Sequence, residues 1–196
     1  MAKVKRLGGG FGGKETRSVQ LAAIAAVAAK KHKRPVRCML NRDEDIVTSG
    51  GRHPFLGYWK VGVMNDGKII ALDAEVFCNG GWTQDLSAAV NDRALSHIDN
   101  CYNIPNVDVR GQPCRTNTVS NTAFRGFGGP QGMFIAESYM EEVSDRLGIP
   151  VDKLRVQLLG ALRWIHANGL SCRRLIIIRR VMSHILIRSW SIIMFP

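Results

Sequence analysis

Apolar and polar positions alternate most clearly between residues 56 and 77. Leu56 to Met64 and Ile69 to Phe77 carry apolar residues at about every second place, separated by Asn65-Asp66-Gly67-Lys68. That pattern predicts a β-hairpin, with Asp-Gly supplying the positive φ that a tight turn requires. Helical spacing appears three times. Leu21 to Ala29 is alanine-rich, with Thr16 or Ser18 placed to cap it and Pro35 to stop it. Leu86 to Ile98 repeats apolar residues at Val90, Ala94, Leu95 and Ile98, with Arg93 on or near the apolar side, where an arginine is ordinarily snorkelling or paired. Met133 to Leu147 is amphipathic, with Pro130 suited to the first turn and Gly148 to the end. Pro150 opens a further helix over Val151 to Arg155. Short strands are expected at residues 2 to 7, Val36 to Leu40 and around Val107 and Val109, and residues 43 to 54 read as a polar connection. The class expected is α+β, with mixed strands and helices.

Two stretches break this periodicity. Gly8-Gly9-Gly10-Phe11-Gly12-Gly13-Lys14-Glu15 precedes the first helix, and Asn121-Thr122-Ala123-Phe124-Arg125-Gly126-Phe127-Gly128-Gly129-Pro130-Gln131-Gly132 leads into the third. Glycine loses the most backbone freedom on ordering and buries no side chain, so such runs mark positive φ or close backbone approach. A flexible linker would be Gly/Ser-rich without an apolar ring. Each stretch therefore reads as a nest of N–H donors delivered to a helix N-terminus, suited to an anionic or electron-rich ligand. Nucleotide motifs fit poorly. Gly8-x4-Gly13-Lys14 lacks the following Ser or Thr of a phosphate loop and has Glu15 instead, and G-x-G-x-x-G at Gly8, Gly10 and Gly13 lacks the acidic ribose partner about 20 residues on.

Composition changes the picture mainly through charge. The 196 residues are 45% hydrophobic and 22% charged, ordinary for a globular chain long enough to form a core, and carry a net charge of +11. Residues 156 to 196 hold six arginines and no acid, and Lys30, Lys31, Lys33, Arg34 and Arg37 read as a solvated helix end. This distribution argues against a phosphate track, leaving a nucleotide- or nucleic-acid-binding module as a minor alternative. The five cysteines form no C-x-x-C pair or metal spacing, and no apolar leader is present. Buried thiols in a reducing, cytoplasmic compartment are expected, with the peroxisome as the other option.

Together, the first glycine stretch through Thr16-Arg17, Gly51-Arg52-His53-Pro54-Phe55, Asp92-Arg93-Ala94-Leu95, and the second glycine stretch resemble the xanthine dehydrogenase family of molybdenum hydroxylases. Four motifs in the right order, from about residue 3 to about 155, look like an internal piece of the molybdenum-cofactor-binding region. The resemblance implies that backbone amides at Phe11 and Arg125 hold the metal centre and its pterin, with Gly10, Gly12 and Gly126 in the same nests. It implies that Phe124 and Phe127 grip a flat heterocycle face-on and edge-on, and that Glu15 and Arg93 form a buried polar pair binding a purine at opposite edges. The implied chemistry is attack of a molybdenum-bound hydroxide on a ring carbon with hydride transfer, converting hypoxanthine to xanthine to urate. Arg93 would stabilise charge developing on the ring. Aldehyde oxidases share both glycine stretches but typically carry apolar residues at the places of Glu15 and Arg93, which favours a purine here.

The family's 2Fe–2S, flavin and NAD sites and its general-base glutamate fall outside this sequence, so FAD and 2Fe–2S are implied only for a parent enzyme. That parent is expected to be a homodimer without nucleic-acid or membrane partners, and the chain to be inactive alone. After Arg155 the resemblance stops. Residues 156 to 196 show no helical or strand period and read as aberrant or disordered sequence appended to a truncated domain spanning 1 to 155, or as a short product with a basic, membrane-surface tail.

Overall fold

The computed structural model describes residues 6–159, together with the backbone of 175–188 and 191–193. Five helices and five strands follow the order α1 (Ser18–His32), α2 (Arg42–Ser49), β1 (Phe55–Met64), β2 (Ile69–Gly81), α3 (Ser87–Leu95), β3 (Asn106–Arg115), α4 (Gly129–Leu147), α5 (Val151–Leu158), β4 (Leu175–Arg188) and β5 (Ser191–Ile193). The sheet runs β3-β2-β1-β4-β5. β1 and β2 form the expected hairpin, with Trp59 opposite Ala74 and Val61 opposite Leu72. Its loop is closed by Gly67 N–H donating to Met64 O at 2.9 Å, and only Gly67 of the Asp-Gly pair has positive φ, 89°. β2 and β3 are parallel, so α3 serves as the crossover between them.

Apolar alternation places Phe55, Trp59, Val61 and Val63 of β1 and Leu72, Ala74, Val76 and Cys78 of β2 in one core. Val90, Ala94 and Ile98 around α3 and Ile135, Ala136, Tyr139, Met140 and Val143 of α4 complete it, with Leu154 and Leu158 of α5. Helices α3 and α4 come together where α4 has no side chain. A Cβ at Gly132 would overlap the carbonyl of Ala94, and one at Gly128 that of Val90. Two buried polar side chains pin the same corner. His53 Nε2 lies 2.8 Å from Ser87 Oγ at the start of α3, and its carbonyl accepts from Gln131 Nε2 of α4 at 3.2 Å. Burial draws the His53 imidazole down to about 4. Nearby Asp85 opposes that shift, while Arg17 and Arg52 add to it.

Several expectations are corrected. Residues 6 and 7 are not strand, and the rest of the segment from 2 to 7 lies outside the described residues. Val36 to Leu40 is irregular and exposed but for Leu40, with no partner strand among the described residues to satisfy its backbone. The polar connection contains α2, because Asn41 and Glu44 form a reciprocal capping box with two 2.9 Å hydrogen bonds. Neither Thr16 nor Ser18 caps α1. Its N-cap is Arg17, and the Ser18 hydroxyl instead donates to Lys14 O. Of the cysteines, only Cys78 is buried; Cys38 and Cys101 are exposed, Cys114 is half-buried, and Cys172 lies outside the described residues. α5 runs past Arg155 to a buried Leu158, whose carbonyl accepts from Asn103 N–H at 2.8 Å.

Beyond α5 the described backbone includes β4 and β5. β4 pairs antiparallel with β1, placing Ile176, Ile177 and Ile178 opposite Val63, Gly62 and Val61. Three consecutive β-branched residues suit an open strand edge even without alternation. Among the described residues, no helix is long and apolar enough to cross a membrane. Helices α1 and α2 bury no residue, leaving Val19, Ile24, Val27, Ile46 and Val47 exposed. The basic residues from Lys30 to Arg37 are all exposed, as a solvated helix end would be.

Two outcomes follow for stability. Gly132→Val should cost about 3 kcal/mol, the upper range for overpacking, because backbone rather than a movable side chain blocks it. Gly148→Ala, at φ 65° with open space around it, should cost only about 1 kcal/mol, the penalty of left-handed backbone alone. Urea midpoints that fail to separate the two variants would contradict the helix contact. The depressed His53 value makes stability complete above the ordinary histidine range and lost as pH falls from 6.5 towards 4. Between pH 7 and pH 4.5 the native chain should therefore lose about 2 kcal/mol more than His53→Gln, as judged from the size of the shift. Parallel pH profiles for the two proteins would show that His53 is not the group responsible.

Candidate functional site

Two loops distant in sequence meet at one end of the sheet. At Gly12, φ 98°, a Cβ would overlap the carbonyl of Ala123 and crowd Phe124 Cα, so the first glycine stretch lies main chain against main chain on the second. Any larger residue would have to separate them. Arg17 holds the contact from one side. Its Nη2 donates to Ser120 Oγ at 2.9 Å and to Ser120 O at 3.3 Å, across 103 residues of sequence, and pairs with Asp85 Oδ2 at 3.5 Å. The two side chains are only 12% and 10% exposed, so this ion pair is largely shielded from water and salt. Asp85 also accepts from Thr122 Oγ1. Burial alone would push its carboxyl up, but the hydrogen bond from Thr122 and the charge of Arg17 hold it below the usual range.

The second loop is shaped by its own turns. Gly126 and Gly128 take φ of 92° and 93°, and Phe127 takes 51°. Phe127 N–H donates to Phe124 O at 2.7 Å and Gly129 N–H to Gly126 O at 2.9 Å, running the loop directly into α4. Pro130 stands in the first turn of that helix. Arg52, not among the residues the sequence marks for the site, approaches from the segment before β1. Its Nη2 donates to Arg125 O at 2.6 Å and its guanidinium lies 4.6 Å from the Phe124 ring centroid. Only the basic residue within Gly51-Arg52-His53-Pro54 could have signalled this.

The sequence-derived residues divide into those brought together and those not joined. Phe11 and Arg125 are neighbours, with the guanidinium 5.9 Å from the Phe11 centroid. None of the N–H groups of Gly10, Phe11, Gly12, Arg125 and Gly126 donates to another described residue. Phe124 is 47% exposed, whereas Phe127 packs against the hydrophobic core, so the two rings present very different faces. Arg93 falls on the exposed face of α3, since Val90, Asn91 and Ala94 take the buried one. Glu15 is exposed at the foot of α1. No ion pair links Glu15 to Arg93 among the described residues, so they are two exposed groups rather than a buried pair. Lys14 turns back so that its Nζ donates to Gly9 O, away from the role a phosphate-loop lysine would need.

The donor set is one of backbone amides bordered by Arg52 and Arg125. Among the described residues there is no cluster of three His, Cys, Asp or Glu side chains able to hold a metal ion. Such a site can grip a group that brings its own metal and its own acceptor atoms, through directed N–H donors and positive field.

Residues 1–158 match the molybdopterin cofactor-binding domain. The chain is 69% identical over 156 residues to a xanthine dehydrogenase of Emericella nidulans, covering 80% of this chain and 11% of that protein. It is 60% identical over 154 residues to a nicotinate hydroxylase of the same organism, covering 79% and 11%. An aldehyde oxidoreductase structure from Desulfovibrio gigas superposes with a TM-score of 0.71 at 31% identity, over 83% of this chain and 17% of that one. The chain thus spans about a tenth of the length of the curated relatives it matches. On its sequence and on the fold that seats the two glycine loops together, this chain belongs to the molybdopterin cofactor-binding domain family.

Proposed function

We propose that this chain forms part of the molybdopterin and substrate site of a molybdenum hydroxylase that oxidises purines. The observation that carries the reading is the seating of Gly12 on Ala123 and Phe124, which assembles uncommitted amides from both loops beside Phe124 and Arg125. The amides of Phe11 and Arg125, with those of Gly10, Gly12 and Gly126, hold the molybdenum–molybdopterin group through its acceptor atoms. The bound group supplies the oxidative hydroxylation chemistry. Phe124, exposed beside the loop, stacks on a flat heterocycle, a contact worth about 0.5–1.5 kcal/mol beyond burial. Phe127, tied into the core, borders it by an edge.

Glu15 and Arg93 act as the polar selectors at opposite edges of the ring. The Arg93 guanidinium can stabilise negative charge developing on a purine more than it stabilises the resting ligand. Glu15 offers an acceptor for a ring N–H. A site with two such groups discriminates against ligands unable to satisfy them. The general base, FAD, 2Fe–2S centres and the dimer interface belong in this reading to the rest of a longer parent polypeptide, acting in the cytoplasm or peroxisome. A second reading, an aldehyde-oxidising hydroxylase, draws on the aldehyde oxidoreductase similarity, but both polar selectors count against it.

The test exchanges the matched 156-residue segment of the Emericella xanthine dehydrogenase for the corresponding residues of this chain. The chimera should bind molybdenum and oxidise xanthine. Glu15→Val with Arg93→Met should keep molybdenum, lose at least about 100-fold in xanthine kcat/KM, the scale of losing a transition-state donor, and gain aldehyde turnover. Unchanged xanthine kinetics in the double variant, or a parent chimera preferring nicotinate, would refute the purine assignment.

A further inference from the structure

Arg52 makes contacts that its neighbours in sequence do not explain. It joins the loop after α2 to the second glycine loop, with Nη2 2.6 Å from Arg125 O and the guanidinium plane carried over Phe124. Its Nη1 is buried without an acceptor, and burial draws the group below its ordinary value. A guanidinium held at that cost is anchored by the two contacts it does make, since a charge-assisted hydrogen bond is markedly stronger than a neutral one.

The carbonyl that Arg52 holds has a covalent counterpart. Arg125 C=O and Gly126 N–H are the two ends of one planar trans peptide and point in opposite directions. Fixing the carbonyl therefore fixes the direction of the Gly126 N–H, on the side away from Arg52. Hydrogen bonding at the carbonyl also polarises the peptide and strengthens the N–H as a donor. Gly126 takes positive φ, a region open to glycine, so this peptide has few local restraints of its own. A Cβ at Gly126 would meet the Pro130 ring and come within 4.0 Å of Arg52 Nη1, which closes that side to a larger residue.

We propose that Arg52 is a positioning residue of the site, aiming the Gly126 N–H at an acceptor atom of the bound group and orienting the Phe124 ring. It rests on the reading under Proposed function for the nature of that group. Arg52 touches neither metal nor substrate in this role and acts through the Arg125–Gly126 peptide.

Two measurements separate the positioning role from the identity of the ligand. In the 196-residue chain, amide hydrogen exchange at Phe127 and Gly129, whose N–H groups close the loop's turns, should speed up by about 10-fold or more in Arg52→Met, the effect expected of losing a charge-assisted bond. Arg52→Lys should recover most of that protection by restoring a cationic donor. Core amides of β1 and β2 should be unchanged in both, which guards against general unfolding. Unchanged exchange at Phe127 and Gly129 in Arg52→Met overturns the proposal whatever the site binds. In the chimeric holoenzyme, Arg52→Met should lower bound molybdenum at least severalfold, with Arg52→Lys intermediate. Faster loop exchange with full molybdenum retention would overturn the assignment of the Gly126 N–H to the cofactor and count against the site reading itself.

Discussion

Everything at this site depends on one steric fact: nothing larger than hydrogen fits at Gly12. The main chain of the first loop rests on the carbonyl of Ala123 and the Cα of Phe124, a distance no Cβ permits. Backbone-to-backbone contact of this kind has little adhesive power of its own, because it buries polar groups and almost no apolar area. It must be held from outside. Arg17 does so by reaching Ser120 and Asp85 at once, and Asp85 is tied in turn to Thr122. Removing one partner of so shielded a pair would leave the other charge buried alone, which is far costlier than the pair is stabilising. The loops are therefore joined by a clamp that is hard to alter one residue at a time.

The same arrangement sets the local charge. Arg17, Arg52 and Arg125 gather near the loops, while Asp85 is the carboxylate paired with Arg17. His53, within reach of Arg17 and Arg52 and fully buried, stays neutral. It can then serve as a hydrogen-bonding strut to Ser87 without adding a charge to an interior that would not tolerate it. The surplus is positive and concentrated where the free amides lie, so field and donors act in the same sense on an electron-rich ligand.

Much of this was legible in the sequence, for reasons that differ by element. The hairpin and α4 follow from period and turn chemistry, since their patterns are enforced by burial on one face. The glycine loops were legible because five glycines around Phe11 have no use in packing. Contacts between remote segments were not. Nothing in the local pattern says that Arg17 faces Asp85 or that Arg52 reaches Arg125 O. Arg93 was misplaced because helical spacing leaves residues beside the apolar stripe ambiguous until Val90, Asn91 and Ala94 are seen to take the inner face. α2 was missed because its signal is a capping box rather than an apolar stripe.

A site that grips its main ligand through main-chain amides also separates two problems that side-chain sites must solve together. Amide donors depend on backbone course, and hence on Gly12, Gly126, Gly128 and their supports, not on the side chains that face a substrate. Residues such as Glu15 and Arg93, exposed on the first loop and on α3, take no part in that backbone contact. Relatives named for xanthine and for nicotinate stand 69% and 60% identical to the same segment. In the proposed reading, selection among flat heterocycles would rest on a few polar positions that contribute almost nothing to overall identity, so the level of similarity does not by itself name a substrate.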